Sequence, residues 1–121
     1  MIVIAGHIDF ADRENRDAAV EASIPHQRAS REDEPGCLAY CFAPDPVVDT
    51  RVQVYELWES AEALAPHFEH ENYFNMRDTL GRFAYVGADN KKYRVDAVDD
   101  VYGTDEDGNR VASVRFWSVG E

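Results

Sequence analysis

Three segments of this chain, residues 2–8, 37–42 and 51–59, are rich in β-branched and aromatic side chains and are apolar on both of their faces. Side chains alternate across a strand, so Val52, Val54 and Trp58 share one face of the third segment and Tyr55 and Leu57 the other. In the first, Ile2, Ile4 and Ile8 oppose Val3 and Ala5; in the second, Leu38, Tyr40 and Phe42 oppose Cys37, Ala39 and Cys41. An antiparallel sheet with one wet face alternates apolar and polar residues. These strands do not, and so both faces need cover.

The intervening segments supply cover for one face. Asp12 is a candidate N-cap, and residues 13–33 carry Ala18, Ala19, Ala22 and Ile24 among charged residues in a helical rhythm. Pro25 removes the hydrogen bond back to Glu21 and predicts a kink or a restart. Glu34-Pro35-Gly36 stops the helix, and Pro44-Asp45-Pro46 makes a rigid turn between the second and third strands. Ser60 caps a second helical region, with Glu62 favourable to its dipole, that reaches about residue 83 and is divided at Pro66. Residues 93–102 and 110–119 read as two further strands joined by a turn at 104–109. The order β-α-β-β-α-β-β is a ferredoxin-like α+β arrangement, an antiparallel sheet with helices on one face and an extra C-terminal hairpin. The other face predicts a second copy packed sheet on sheet, a homodimer.

A chain of 121 residues holds a core without staples and reads as a single domain over 1–121. Its 24 acidic residues against 12 basic ones give a net charge of -12, which repels phosphate backbones and anionic lipid, so neither nucleic acid nor membrane is expected as a partner. Only Lys91 and Lys92 are lysines, a bias that reads as compositional background. No segment reaches the roughly 18 apolar residues of a membrane span, and no basic leader precedes the apolar start. Cys37 and Cys41, four apart in a strand, stand about 13 Å apart at about 3.3 Å per residue, too far to bridge. Free thiols suit a reducing compartment, and a cytoplasmic location is expected.

Candidate chemistry centres on four histidines, His7, His26, His67 and His70. His67 and His70 are three apart and share a helix face, but no carboxylate spacing of a metal motif accompanies them, and no metal is expected. His7 shares a strand face with Val3 and Ala5, as a hydrogen-bonded buried group or as part of a site. Trp58 has Glu56 beside it on the same face, and that carboxyl is expected to be paired or near the sheet edge. Asn72, Tyr73, Phe74 and Met76 combine aromatic walls with an amide, a composition that suits a pocket for a flat aromatic molecule and equally suits core packing. The acidic turn at 105–107 lacks calcium-loop spacing. There is no phosphate loop, nucleophile elbow, C-x-x-C or dinucleotide fingerprint.

Glu34-Pro35-Gly36-Cys37-Leu38-Ala39-Tyr40, followed by Tyr55-Glu56-Leu57-Trp58-Glu59-Ser60-Ala61-Glu62-Ala63-Leu64-Ala65-Pro66-His67, resembles the antibiotic-biosynthesis monooxygenase superfamily of dimeric α+β barrels. The likeness covers roughly residues 1–83. It departs where the family often has a second histidine followed by Phe, since this chain reads His70-Glu71-Asn72-Tyr73-Phe74. The chain beyond residue 83 is also longer than in a minimal member, so the final hairpin serves the dimer or lids the pocket. The resemblance implies a monooxygenase without a cofactor, acting with O2 on a quinol, anthrone or related polyphenolic aromatic. It implies His67 as base or hydrogen-bond donor, His7 and Asn72 as polar contacts to substrate, and Trp58 and Phe74 as aromatic walls. Two alternatives share the fold. One is a haem-degrading monooxygenase, resembled at Trp58 and near His7, although the haem-ligating position falls near Asp78; the other is a non-catalytic small-ligand-binding dimer.

Overall fold

The computed structural model describes residues 1–117 of the chain. Strand β1 (Ile2–Phe10) leads into helix α1 (Arg13–Asp33), then β2 (Cys37–Pro44) and β3 (Arg51–Trp58). A short helix α2 (Ala61–Leu64), a 3-10 turn (Ala65–Glu69) and helix α3 (Glu71–Gly81) precede β4 (Tyr85–Arg94). The hairpin β5 (Tyr102–Thr104) and β6 (Arg110–Ala112) follows. The main sheet is antiparallel in the order β2-β3-β1-β4, as in the ferredoxin-like fold, and the hairpin forms a separate two-stranded sheet.

Local chemistry places the helix starts. Asp12 accepts the Asn15 amide at 2.8 Å and Ser60 the Ala63 amide at 3.1 Å, each satisfying a first-turn donor. Pro66 ends α2 by entering the 3-10 turn, and His70 Nδ1 then accepts the Asn72 amide at 3.0 Å to start α3. Pro25 does not break α1, which runs as one 21-residue helix. The helix is anchored on both sides of the proline. Before it, buried Arg16 donates from Nη1 to the carbonyls of Asp45, Val48 and Arg51. After it, buried Gln27 exchanges two hydrogen bonds with the backbone of Phe42 on edge strand β2, at 2.9 and 3.0 Å. These bonds and the burial of Ala19, Ser23 and Ser30 hold the helix against a proline cost of about 3 kcal/mol.

The helices cover one face of the sheet, where Ile8, Phe10, Tyr40, Phe42, Val52, Val54 and Trp58 meet Ala19, Leu64, Met76 and Leu80. Cross-strand register puts Val3, Ala5, Tyr55, Leu57, Ala39, Cys41 and Tyr93 on the opposite face. Tyr55 is 44% and Tyr93 52% exposed there. One part of the strand-parity reading is corrected. A bulge between Cys37 and Ala39 shifts the register, so Cys37 packs on the core while Leu38 is 54% exposed. Both cysteines are free.

The fourth strand is also corrected: it is Tyr85–Arg94 and not residues 93–102. Its middle, Asp89-Asn90-Lys91-Lys92, has no apolar alternation and is exposed throughout. Backbone pairing with β1, from Ile2↔Arg94 to Phe10↔Tyr85, holds it instead. Gly6 permits the close approach, since a Cβ there would run into the Asp89 carbonyl and the Asn90 Cα. The last strand is Arg110–Ala112, shorter than the expected 110–119, of which residues 118 and 119 lie outside the described residues. The turn between β5 and β6 is built as expected, with Asp105 Oδ1 accepting the amides of Asp107 and Asn109.

Candidate active site

A cavity of about 800 Å³ opens between the inner face of the sheet and α3. Ile4, Ile8, Tyr40 and Phe42 form its apolar floor, and Tyr73, Met76 and Leu80, spaced along one face of α3, form a wall. His67 and Glu56 supply its buried polar groups; Asn90 and Lys92 reach it from β4.

His67 is 2% exposed and sits in the 3-10 turn that Pro66 initiates. Its Nδ1 lies 2.7 Å from Oε1 of buried Glu34, and Asn72 Nδ2 donates to the other Glu34 oxygen at 3.3 Å. A carboxylate only accepts, so Nδ1 carries the proton and Nε2 keeps the free lone pair. Rings of Trp58, Tyr73, Tyr40 and Phe68 surround the imidazole, with centroids 4.7 to 5.7 Å away. A carboxylate-oriented imidazole in an aromatic box beside a cavity is chemically able to accept a proton from a bound molecule.

Glu56 lies on the central strand β3, away from the sheet edge, and its Oε1 accepts Trp58 Nε1–H at 3.0 Å. Burial pushes its carboxyl up to about 7; the Trp58 hydrogen bond opposes that rise and the Glu34 charge adds to it. The native state thus holds this proton between pH 4.5 and about 7 while the unfolded chain has released it. Stability through this group is therefore fully present below pH 4.5 and falls as pH rises to about 7, by on the order of 3 kcal/mol. Glu56→Gln is expected to flatten that slope and to stabilise the protein at pH 8, as read by urea midpoints across pH 4.5 to 8.

The residues expected at the site are distributed unequally. His67 lines the cavity. Asn72 is buried behind it as a donor to Glu34, and Trp58 packs fully buried against His67 and holds Glu56. His7 lies on the opposite face of the sheet, 3.7 Å from Asp9 and in register with Gln53 and Asp89. Phe74 is 38% exposed and packs with Tyr73 and Arg77 outside the cavity lining, where its neighbour Tyr73 stands instead. The remaining histidines are structural in their contacts: His26 meets Thr79 Oγ1 at 3.0 Å across α1 and α3, and His70 caps α3. Asp78 is exposed and pairs with Arg77. Among the described residues no cluster of three or more His, Cys, Asp or Glu is arranged for a metal, and no helix is long and apolar enough to cross a membrane.

Glu34 is the site residue that sequence reasoning missed. Its segment was legible only as a helix stop, and its partners His67 and Asn72 are 33 and 38 positions away. The resemblance offered the one available signal, since it joined Glu34 and His67 in a single pattern.

Comparison with known proteins agrees with this fold. The family model described as antibiotic biosynthesis monooxygenase matches residues 1–78. A candidate antibiotic biosynthesis monooxygenase from Deinococcus radiodurans is similar in structure, with a TM-score of 0.74 and 18% identity over 85% of this chain and 100% of that one. Another, from Nitrosomonas europaea, has a TM-score of 0.66 and 22% identity over 80% of this chain and 100% of that one. A conserved protein of unknown function from Bacteroides thetaiotaomicron has a TM-score of 0.66 and 23% identity over 76% of this chain and 94% of that one. At these identities the likeness is one of fold. No curated protein sequence matches significantly.

Proposed function

Because the chain belongs to the antibiotic biosynthesis monooxygenase family, we propose that it oxidises a quinol, anthrone or related polyphenol with O2 and without a cofactor, using His67 as the base. The observation that carries this reading is the buried Glu34–His67 pair at the wall of an aromatic-lined cavity of about 800 Å³. His67 Nε2 takes the phenolic proton, and the electron-rich anion passes one electron to O2. The resulting radical pair joins at a ring carbon to make a C–O bond. Loss of water from that peroxide leaves a carbonyl, so one oxygen atom enters the product, the other leaves as water, and the substrate supplies all four electrons. Low polarity around the ring strengthens each hydrogen bond to the anion, and Glu56 is positioned to return a proton to the departing oxygen.

The working unit in this reading is a homodimer of the whole 1–121 chain in the cytoplasm. A second copy buries the open face that carries Val3, Tyr55, Leu57 and Tyr93; a light-scattering mass of 13.7 kDa at micromolar concentration overturns that assembly. Oxygen uptake with hydroquinone, naphthoquinol and anthrone, with and without chelator, tests the chemistry. Uptake that survives chelator supports it, and silence across the panel favours a ligand-binding dimer.

A further inference from the structure

The chain has twice as many acidic as basic residues, yet its cavity is bordered by the opposite balance. Glu56 is the sole acidic residue of the lining, and Arg77 and Lys92 are cations there. Lys91 borders it too, but its register with Ala5 sets its side chain on the open face, where it pairs with Asp89. Lys92 is in register with Ile4 on the inner face and has no acidic partner among the described residues. A lysine that only guards an edge strand from pairing has no need to face inward over a cavity. Arg77 stands one turn beyond Tyr73 on α3, its guanidinium 5.1 Å from the Phe74 ring centre and 3.3 Å from its sequence neighbour Asp78, an exposed pair of the kind worth little in water and open to exchange for a bound carboxylate.

From this charge placement we propose, building on the oxygenase reading, that the substrate is an aromatic acid. Its carboxylate is held by Lys92 and Arg77 while its phenolic end lies toward Glu56 and His67. The register supplies the scale. Glu56 and Lys92 flank Ile4 in one cross-strand row on β3, β1 and β4, two strand spacings or about 10 Å apart. That span matches two or three fused rings carrying an acid at one end. In a protein of charge -12, an unpaired inward cation also offsets the repulsion that an anionic substrate meets on approach.

Binding distinguishes this proposal from the oxygenase reading because it needs no turnover. Calorimetric titration at pH 7.5 compares 6-hydroxy-2-naphthoate, which carries its hydroxyl and carboxylate at opposite ends, with 2-naphthol, which has the same rings and no carboxylate. The acid is expected to bind at least about tenfold more tightly, and the Lys92→Gln, Arg77→Gln double variant to bring the two probes within about twofold. Both residues are exposed, so the variant's melting temperature should match the parent's. Equal affinity for the two probes, an advantage that persists in the double variant, or no binding of either overturns the proposal. Carboxylate selectivity without oxygen uptake on any quinol overturns the oxygenase reading and leaves the acid site standing.

Discussion

His67→Ala is expected to lower kcat for an active quinol by about 10² to 10⁴-fold, the usual contribution of a positioned general base, while KM changes little. In the proposed reaction Nε2 is the nitrogen that takes the proton. The variant also leaves Glu34 buried with Asn72 as its remaining side-chain partner, so a fall in melting temperature accompanies the kinetic loss. Glu34→Gln separates the two effects. It can keep an acceptor 2.7 Å from Nδ1 but removes the charge that stabilises imidazolium, so kcat falls less than in His67→Ala. Unchanged turnover in His67→Ala would remove the base from the mechanism.

Trp58→Ala should have the largest effect on stability. Trp58 is fully buried at the end of β3, in the register row where Ile2 and Cys37 flank it. Truncating a large aromatic in a core costs about 3–5 kcal/mol, and here it also strips Glu56 of its Nε1–H donor, worth about 1–3 kcal/mol more when no water replaces it. Domain stabilities are about 5–15 kcal/mol, so the variant should be largely unfolded or marginal in a urea titration at 25 °C. Trp58→Phe keeps most of the volume and loses the donor alone, so its smaller loss measures the Glu56 bond. A Trp58→Ala chain with the parent's midpoint would show that the indole is not the keystone of this packing.

How far such residues can be read from sequence depends on how locally their physics is written. The caps at Asp12 and Ser60, the division at Pro66 and the Asp105 turn involve partners within four positions, and side-chain chemistry alone places them. Pro25 misleads because its local cost is real but is overridden by Arg16 and Gln27, whose partners lie 15 to 35 residues away. Strand β4 is illegible for a different reason. Hydrophobic periodicity reports burial against a second layer, and β4 borders a cavity, so its register is carried by backbone bonds to β1 that leave no mark on its side chains.

The open sheet face and the cavity show the same division. Alternation failing in β1 and β3 is a property of side-chain order, and it already requires that apolar groups stand on both sides of the sheet. Which histidine stands at the cavity is not such a property. His7 and His67 are the same residue type in comparable apolar surroundings, and only the folded chain sets one beside Asp9 on the open face and the other against Glu34 at the cavity. Sequence by itself determined the layer order and the two apolar faces, because these follow from periodicity along a strand or helix. The tertiary structure alone decided the Glu34–His67 pair and the inward lysine, because both depend on distances between segments that local propensity does not encode.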